Sequence, residues 1–195
     1  MCAHGRSGIR DLLFGRIAQQ VVAKGSTPLL LLQPMTSQQK SFKLRRILLP
    51  LDSESVHDDS LPIAKELAKA YNSELNLLCV IPTFSTLRGE EAATSTILPA
   101  TTNALLDIKE QQAKEHLQGH LNELIGEGFH TSAEIGRGDP TQTIVNVAER
   151  SEADLIVLST HRKAGIDAFW ARSVSPNVAR RTHIPILLIP LSTEK

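Results

Sequence analysis

The chain opens on a glycine-bearing loop with the composition of a phosphate site. In MCAHGRSGIRDLLFGRIAQQ, glycines break a basic stretch just ahead of a helix-like run. Such a loop can aim backbone N–H groups and a helix N-terminus at a phosphate, but it normally follows a strand. No strand of useful length precedes this one. His116 and His120, in HLQGH, fall four apart on one helix face, a spacing that can hold a metal ion. No third ligand lies near them in sequence, and a solvated helix face is the plainer reading. Asp52, Ser53 and Glu54 follow an apolar run and could serve a cation or a phosphoryl group. A single carboxylate at a strand end more often contacts a ribose or caps a helix. Arg137-Gly138-Asp139 spells a cell-adhesion tripeptide, but it sits directly before Pro140, where a helix start explains it. Cys79 lies in an apolar run and reads as an inert core thiol; Cys2 has no assured basic activator. There is no G-x-S-x-G elbow, no H-E-x-x-H pair and no Walker loop.

The frame that holds these groups is set by ordinary composition. The 195 residues suit one domain with an extension, and 41% hydrophobic residues allow a sizeable core. Twenty-one basic and 21 acidic residues cancel, which gives no bulk attraction to nucleic acid or to a membrane surface. Aromatic residues, at 4%, are too few for a base-stacking platform. Two cysteines without a pairing framework indicate a reducing compartment. No signal peptide is evident, and no apolar run approaches the ~20 residues that span a bilayer. A cytoplasmic protein is expected.

Apolar runs and helical spacing alternate from residue 45 onward. RRILLPLD (45–52) reads as a buried strand, and Leu61, Ala64, Leu67, Ala68 and Tyr71 give the next segment a helical face. ELNLLCVIP (74–82) is a second strand. Residues 83–104, rich in Thr, Ser and Ala, read as a long loop. A helix is expected over 105–127, with Leu106, Ala113, Leu117, Leu121 and Leu124 on or near one face. FHTSAEIGRG offers a third strand. Asp139 and Pro140 supply an N-cap and first position for a helix carrying Ile144, Val147 and Ala148. ADLIVLST is a fourth strand. SPNVARRTH is a last helix, capped by Ser175 with Pro176 at its first position, and IPILLIPL a fifth strand. Doubly apolar strands alternating with helices specify an α/β fold with a parallel sheet covered on both faces.

The chain also repeats part of itself. Residues 1–34 align without a gap on 158–191 at a constant offset of 157. His4 matches His161, Gly8 matches Gly165, Ile9 matches Ile166 and Val21 matches Val178; Pro28 matches Pro185, and Leu30 and Leu31 match Leu187 and Leu188. Nothing ahead of residue 34 corresponds to residues 45–157. Residues 1–34 therefore read as the loop-helix-strand end of a first domain, 35–43 as a linker, and 44–195 as a complete second domain. Whether Met1 is the native start is left open; a native chain that began ahead of it would restore that first domain. The remnant strand Leu29–Leu32 is expected to lie antiparallel to Ile186–Ile189, within the chain or exchanged between two chains, covering an edge that otherwise invites aggregation.

Four stretches carry a resemblance to the universal stress protein family: ILLPLD, GRGDPTQTIVNVA, ADLIVLSTHR and THIPILLIPL. The resemblance covers residues 44–192 as one domain and 1–34 as the last part of another, a tandem arrangement. It implies a doubly wound five-stranded parallel sheet of order 3-2-1-4-5 with helices on both faces, and dimers joined through fifth strands. Some members bind ATP with a G-x2-G-x9-G-[ST] loop after the fourth strand, where glycines let backbone N–H groups approach phosphates. The matching nucleoside positions here are Pro50, Asp52, Val80 and Leu158, and they fit. The loop positions hold Ser159, Arg162, Arg172 and Ser173, followed by Val174, so only the last hydroxyl survives. Arginine attracts phosphate but does not cheaply adopt a positive-φ turn. The N-terminal copy keeps Gly5 and Gly15 and lacks the strands of a nucleoside pocket. The expectation is a non-catalytic stress-response protein with a degenerate nucleotide loop, no resident cofactor, and a role in protein contacts and dimerisation. An ATP-binding switch or weak ATPase is the alternative. A receiver-like phospho-acceptor fits less well, because the fifth strand ends LLIPL without the lysine that class requires.

Overall fold

Alternation of side chains across each strand builds two cores on one sheet. In the computed structural model, residues 27–32, 43–52, 59–160 and 174–190 are described. They form β1 (Leu29–Leu31), β2 (Arg46–Leu51), α1 (Ser60–Tyr71), β3 (Glu74–Ile81), a 3₁₀ turn (Phe84–Thr86), α2 (Glu90–Ile97) and α3 (Pro99–Gly126). The chain continues through β4 (Thr131–Arg137), α4 (Pro140–Arg150), β5 (Leu155–Thr160), α5 (Val174–Arg181) and β6 (Ile186–Pro190). The six strands lie in the order β1-β6-β5-β2-β3-β4. All neighbours are parallel except β1, which is antiparallel to β6. Without β1 the order is the expected 3-2-1-4-5, so the sheet is the five-stranded one with a sixth strand added at its edge.

Period two decides which helices each strand residue meets. Leu48, Leu78, Ile156 and Ile186 turn to one face, against Ile144, Val145, Val147 and Ala148 of α4 and Val178 and Ala179 of α5. Ile47, Leu49, Leu75, Leu77 and Val157 turn to the other, against Leu61, Ala64 and Ala68 of α1 and Ala113, Leu117 and Leu124 of α3. Polar anchors fix the amino ends of the strands. Asp154 accepts hydrogen bonds from the backbone N–H groups of Arg45 (2.8 Å) and Arg46 (3.1 Å), and the Ser73 hydroxyl donates to the Leu44 carbonyl (2.7 Å). The Arg46 guanidinium bonds Glu152, which raises its pKa and keeps it charged.

The β1–β6 register follows the internal repeat. Leu29 faces Leu188, Leu30 faces Leu187 and Leu31 faces Ile186. Under the offset of 157, Leu30 is the counterpart of Leu187, and these two residues face each other. The two strands are thus related by a local pseudo-two-fold axis, as in an isologous pair of identical strands. Leu31 joins the core on the α4–α5 face.

Three expectations are corrected. Residues 83–104 are not a long loop, and α3 begins at Pro99 rather than Leu105. Glu90 and Glu91 favour the start of α2 through the helix dipole, and Pro99 presets the first turn of α3. The hydroxyls that suggested a loop donate back along the helices, Ser95 to the Ala92 carbonyl (2.7 Å) and Thr102 to the Leu98 carbonyl (3.0 Å). Ser175 is not the cap of the last helix, since α5 already includes Val174. Pro176 is still tolerated there, because the first N–H groups of a helix have no partner within it. Tyr71 is 61% exposed rather than in the core. The inward face of α1 ends at Ala68, and Asn72 stops the helix in a left-handed conformation with its N–H on the Ala68 carbonyl.

Candidate functional site

The sheet reverses its winding between β2 and β5. From β2 the chain steps outward to β3 and β4, then crosses back to β5 and β6. A crevice outside the carboxyl ends of strands at such a switch point is where open α/β sheets bind ligands. Asp52, exposed, leaves the end of β2 there. Pro50 is half-buried in register with Leu78, and Val80 is half-buried in register with Gly136. Leu158 is buried near the end of β5, and Val80 and Val174 pack against the cluster to which it belongs. By strand parity Pro50, Val80 and Leu158 share the α4–α5 face of the sheet. Pro50, Val80 and Leu158, distant in sequence, thus share one face toward the carboxyl ends of their strands, and Asp52 follows the end of β2. The Ser159 carbonyl accepts a hydrogen bond from the Ser175 hydroxyl (3.2 Å), tying the end of β5 to the first turn of α5. Arg162, Arg172 and Ser173, and Gly5 and Gly15 of the N-terminal copy, lie outside the described residues.

Sequence reasoning did not place the β4–α4 turn in the site, although GRGDP carried the signal. Gly136 sits where a Cβ would come within 2.4 Å of the Thr143 methyl of α4. Gly138 has φ +128°, which side-chain-bearing residues rarely adopt, and its N–H donates to the Ile81 carbonyl at 3.0 Å. The Asp139 carboxylate caps α4 by accepting from the Gln142 N–H (3.0 Å) and pairs with Arg88 (2.6 Å). Arg137 pairs with Glu110 of α3. Both charged side chains of the RGD tripeptide are thus engaged within the fold, which supports the helix-start reading. These contacts hold the N-terminus of α4 close to the ends of β3 and β4.

The other sequence candidates do not gather at the crevice. The rings of His116 and His120 meet edge to face with centroids 4.6 Å apart. Among the described residues no group of three or more His, Cys, Asp or Glu is placed to hold a metal ion. A groove of about 430 Å³ between α3 and β4 is lined by residues such as Lys114, Gln118, Leu121 and Glu134, and by none of the strand-end residues. No helix among the described residues is long and apolar enough to cross a membrane.

The fold agrees with comparison to known proteins. The family model described as the universal stress protein family matches residues 43–190. The chain belongs to the universal stress protein family. It is 30% identical over 145 residues to universal stress protein MJ0531 of Methanocaldococcus jannaschii, covering 74% of this chain and 81% of that protein. The crystal structure of a universal stress protein from Archaeoglobus fulgidus aligns with the whole chain at TM-score 0.68 and 18% identity, and the chain spans 61% of that structure's length. UspA from Lactobacillus plantarum aligns at TM-score 0.60 and 22% identity over 75% of this chain and 98% of its own. A universal stress protein crystallised in complex with cAMP aligns at TM-score 0.51 and 19% identity over 77% of this chain and 99% of its own. At these identities the solved structures establish the fold.

Cys79 of this universal stress protein is a core thiol beside the site rather than a reagent in it. It is 1% exposed in β3. Burial, reinforced by the negative charge of Asp52, raises its pKa from the ordinary 9.0 to about 11. The folded state therefore favours the neutral thiol. Its contribution to stability is complete below pH 9 and is lost as pH rises through about 11. The chain should lose up to about 2 kcal/mol more stability between pH 8 and pH 11 than a Cys79→Ala variant, measured by urea unfolding at each pH. Alkylation of Cys79 at pH 8, followed by peptide mass mapping, should proceed only as fast as the protein opens. Equal alkaline slopes for the two proteins, or labelling at the rate of a free thiol, would contradict this placement.

Proposed function

We propose that this universal stress protein is non-catalytic and acts through dimerisation and protein contacts, with a nucleotide loop that no longer works. The observation that carries the reading is the pair of arginines, Arg162 and Arg172, at positions where ATP-binding relatives place glycine. A phosphate held by backbone N–H groups needs residues that can turn with positive φ and admit close approach. Two long side chains oppose both. The β1–β6 pairing supports a pseudo-dimer made within one chain, in which the remnant strand takes the place of a second copy at the sheet edge.

A second reading, a nucleotide-binding switch or weak ATPase, is favoured by the strand ends. Val80 and Val174 pack against the core cluster that contains Leu158, Asp52 follows the end of β2, and one structural relative is described in complex with cAMP. The residues that would hold the base and ribose are present, while the phosphate loop is the part that departs. Calorimetry with ATP, ADP and cAMP at millimolar concentration separates the two readings, together with nucleotide analysis of the purified protein after denaturation. The non-catalytic reading expects no bound nucleotide and no binding heat. Nucleotide carried at close to one equivalent would replace it with the switch.

A further inference from the structure

The two halves of α3 have different surroundings. At 1.5 Å per residue its 28 residues reach about 42 Å, whereas the 7 residues of β4 reach about 23 Å. The half along the sheet carries the buried Ala113, Leu117 and Leu124, and Glu110 is level with Arg137 at the end of β4. The first three turns project past the sheet, braced against α2 by Lys109 on Glu91 at 2.9 Å. On this projecting part Leu105 and Ile108 are about half exposed while Thr102 is buried, and just ahead Leu98 is half exposed and Ile97 77% exposed. Thr101, Leu105, Ile108 and Gln112 step by 4, 3 and 4 along α3, the spacing of a coiled-coil seam, and the N-cap Leu98 stands three residues ahead of Thr101. That seam is turned about 120° around the helix from the line of Ala113 and Leu117 that meets the sheet. From Ala92 to Leu106 no residue is charged.

We propose that this seam joins two copies of the chain, their α3 helices antiparallel about a two-fold axis. The seam is its own complement when reversed. Centred at the level of Asn103, Leu98 meets the partner's Ile108 and Thr101 meets the partner's Leu105, the a-to-d layering of an antiparallel pair. Between Pro99 and Gln112 the charged residue flanking the seam is Lys109, about 18 Å along the axis from its counterpart, so like charges do not oppose the contact. The β6 edge is already paired with β1, so a second copy cannot add there without displacing it. An apolar face without charges suits an uncharged partner surface, and an identical seam is one. The proposal rests on the reading that the protein works through dimerisation, and it locates the contact.

Disulfide trapping tests it. A Leu98→Cys, Ile108→Cys variant is made in a Cys2→Ser background, alongside each single variant. The two new thiols are ten residues apart, one at the N-cap of α3 and one in its third turn, about 15 Å, too far to bridge within a chain. Mild oxidation should convert most of the double variant to a covalent dimer on a non-reducing gel, and neither single variant. In sedimentation equilibrium the unmodified chain should dimerise at micromolar to submillimolar concentration, and Leu105→Lys with Ile108→Lys should weaken this at least ~10-fold. An unchanged thermal midpoint for the lysine variant shows that the fold is intact. A monomer at every concentration, or no more cross-linking in the double variant than in the singles, overturns the proposal. A dimer that survives the lysines but is lost when Leu30 and Leu31 are replaced by proline also overturns it, assigning dimerisation to strand exchange at β6. Only bound nucleotide speaks against the non-catalytic reading, and that result leaves the seam untouched.

Discussion

Replacing Ile156 by alanine should destabilise the protein by about 2–5 kcal/mol, a large share of the stability of a domain this size. Ile156 has no exposed surface. It lies on β5, flanked by Leu48 on β2 and Ile186 on β6 in the sheet, and belongs to the cluster that α4 and α5 cover. Helices on one side and paired strands on both sides leave the cavity little room to collapse, so the cost should fall in the upper part of that range. Ile156→Val removes one methyl group and should cost about 0.5–1.5 kcal/mol. Leu30→Ala on β1 removes a similar side chain that is 41% exposed, and should cost much less. Urea unfolding followed by circular dichroism orders the three. An Ile156→Ala loss no larger than that of Leu30→Ala would mean that β5 is not the packed centre of the sheet.

Replacing Gly136 by valine should cost about 1–3 kcal/mol by overpacking. The first atom added would lie 2.4 Å from the Thr143 methyl, 3.4 Å from Leu78 and 3.6 Å from Val80. Thr143 is β-branched and sits in the first turn of α4, so its side chain has few rotamers by which to give way. Relief must come from moving α4 away from β4, against the Arg88–Asp139 pair and the Gly138–Ile81 hydrogen bond. Thr143→Ala removes the clashing methyl and should recover part of the loss, a coupling that a double-mutant cycle measures. Full additivity of the two substitutions would show that the close approach of α4 to β4 is absent. Since Val80 lies near the end of β3, the valine variant should also disturb that end of the sheet.

Most of the fold was legible because its information is local. β2, β3 and β5 are apolar on both faces over most of their length, and the intervening helices repeat at 3.6 residues. The Asp139-Pro140 start of α4 was equally plain, because an N-cap acts within three residues. The segment 83–104 was misread because its Thr, Ser and Ala lack an apolar stripe facing the sheet. The seam it carries faces away, and its hydroxyls bond within the helices. At the site, Pro50, Asp52, Val80 and Leu158 were named from resemblance, and parity with the core places the three apolar ones on one face. The turn at Gly136 and Gly138 was not identified as part of the site. A glycine declares that backbone or side chain must come close, but the sequence does not say which neighbour comes.

The sequence by itself determined the parallel α/β sheet, the two helix-covered faces and the partial repeat, since periodicity and propensity act over a few residues. The repeat also pointed to the antiparallel pairing that brings Leu30 opposite its counterpart Leu187; tertiary structure alone decided the contact of Thr143 with the space above Gly136. It also decided that the first three turns of α3 project past the sheet. Each of these depends on residues brought together from distant parts of the chain. Their energies depend on which surfaces meet, and a local pattern of apolar and polar residues leaves that choice open.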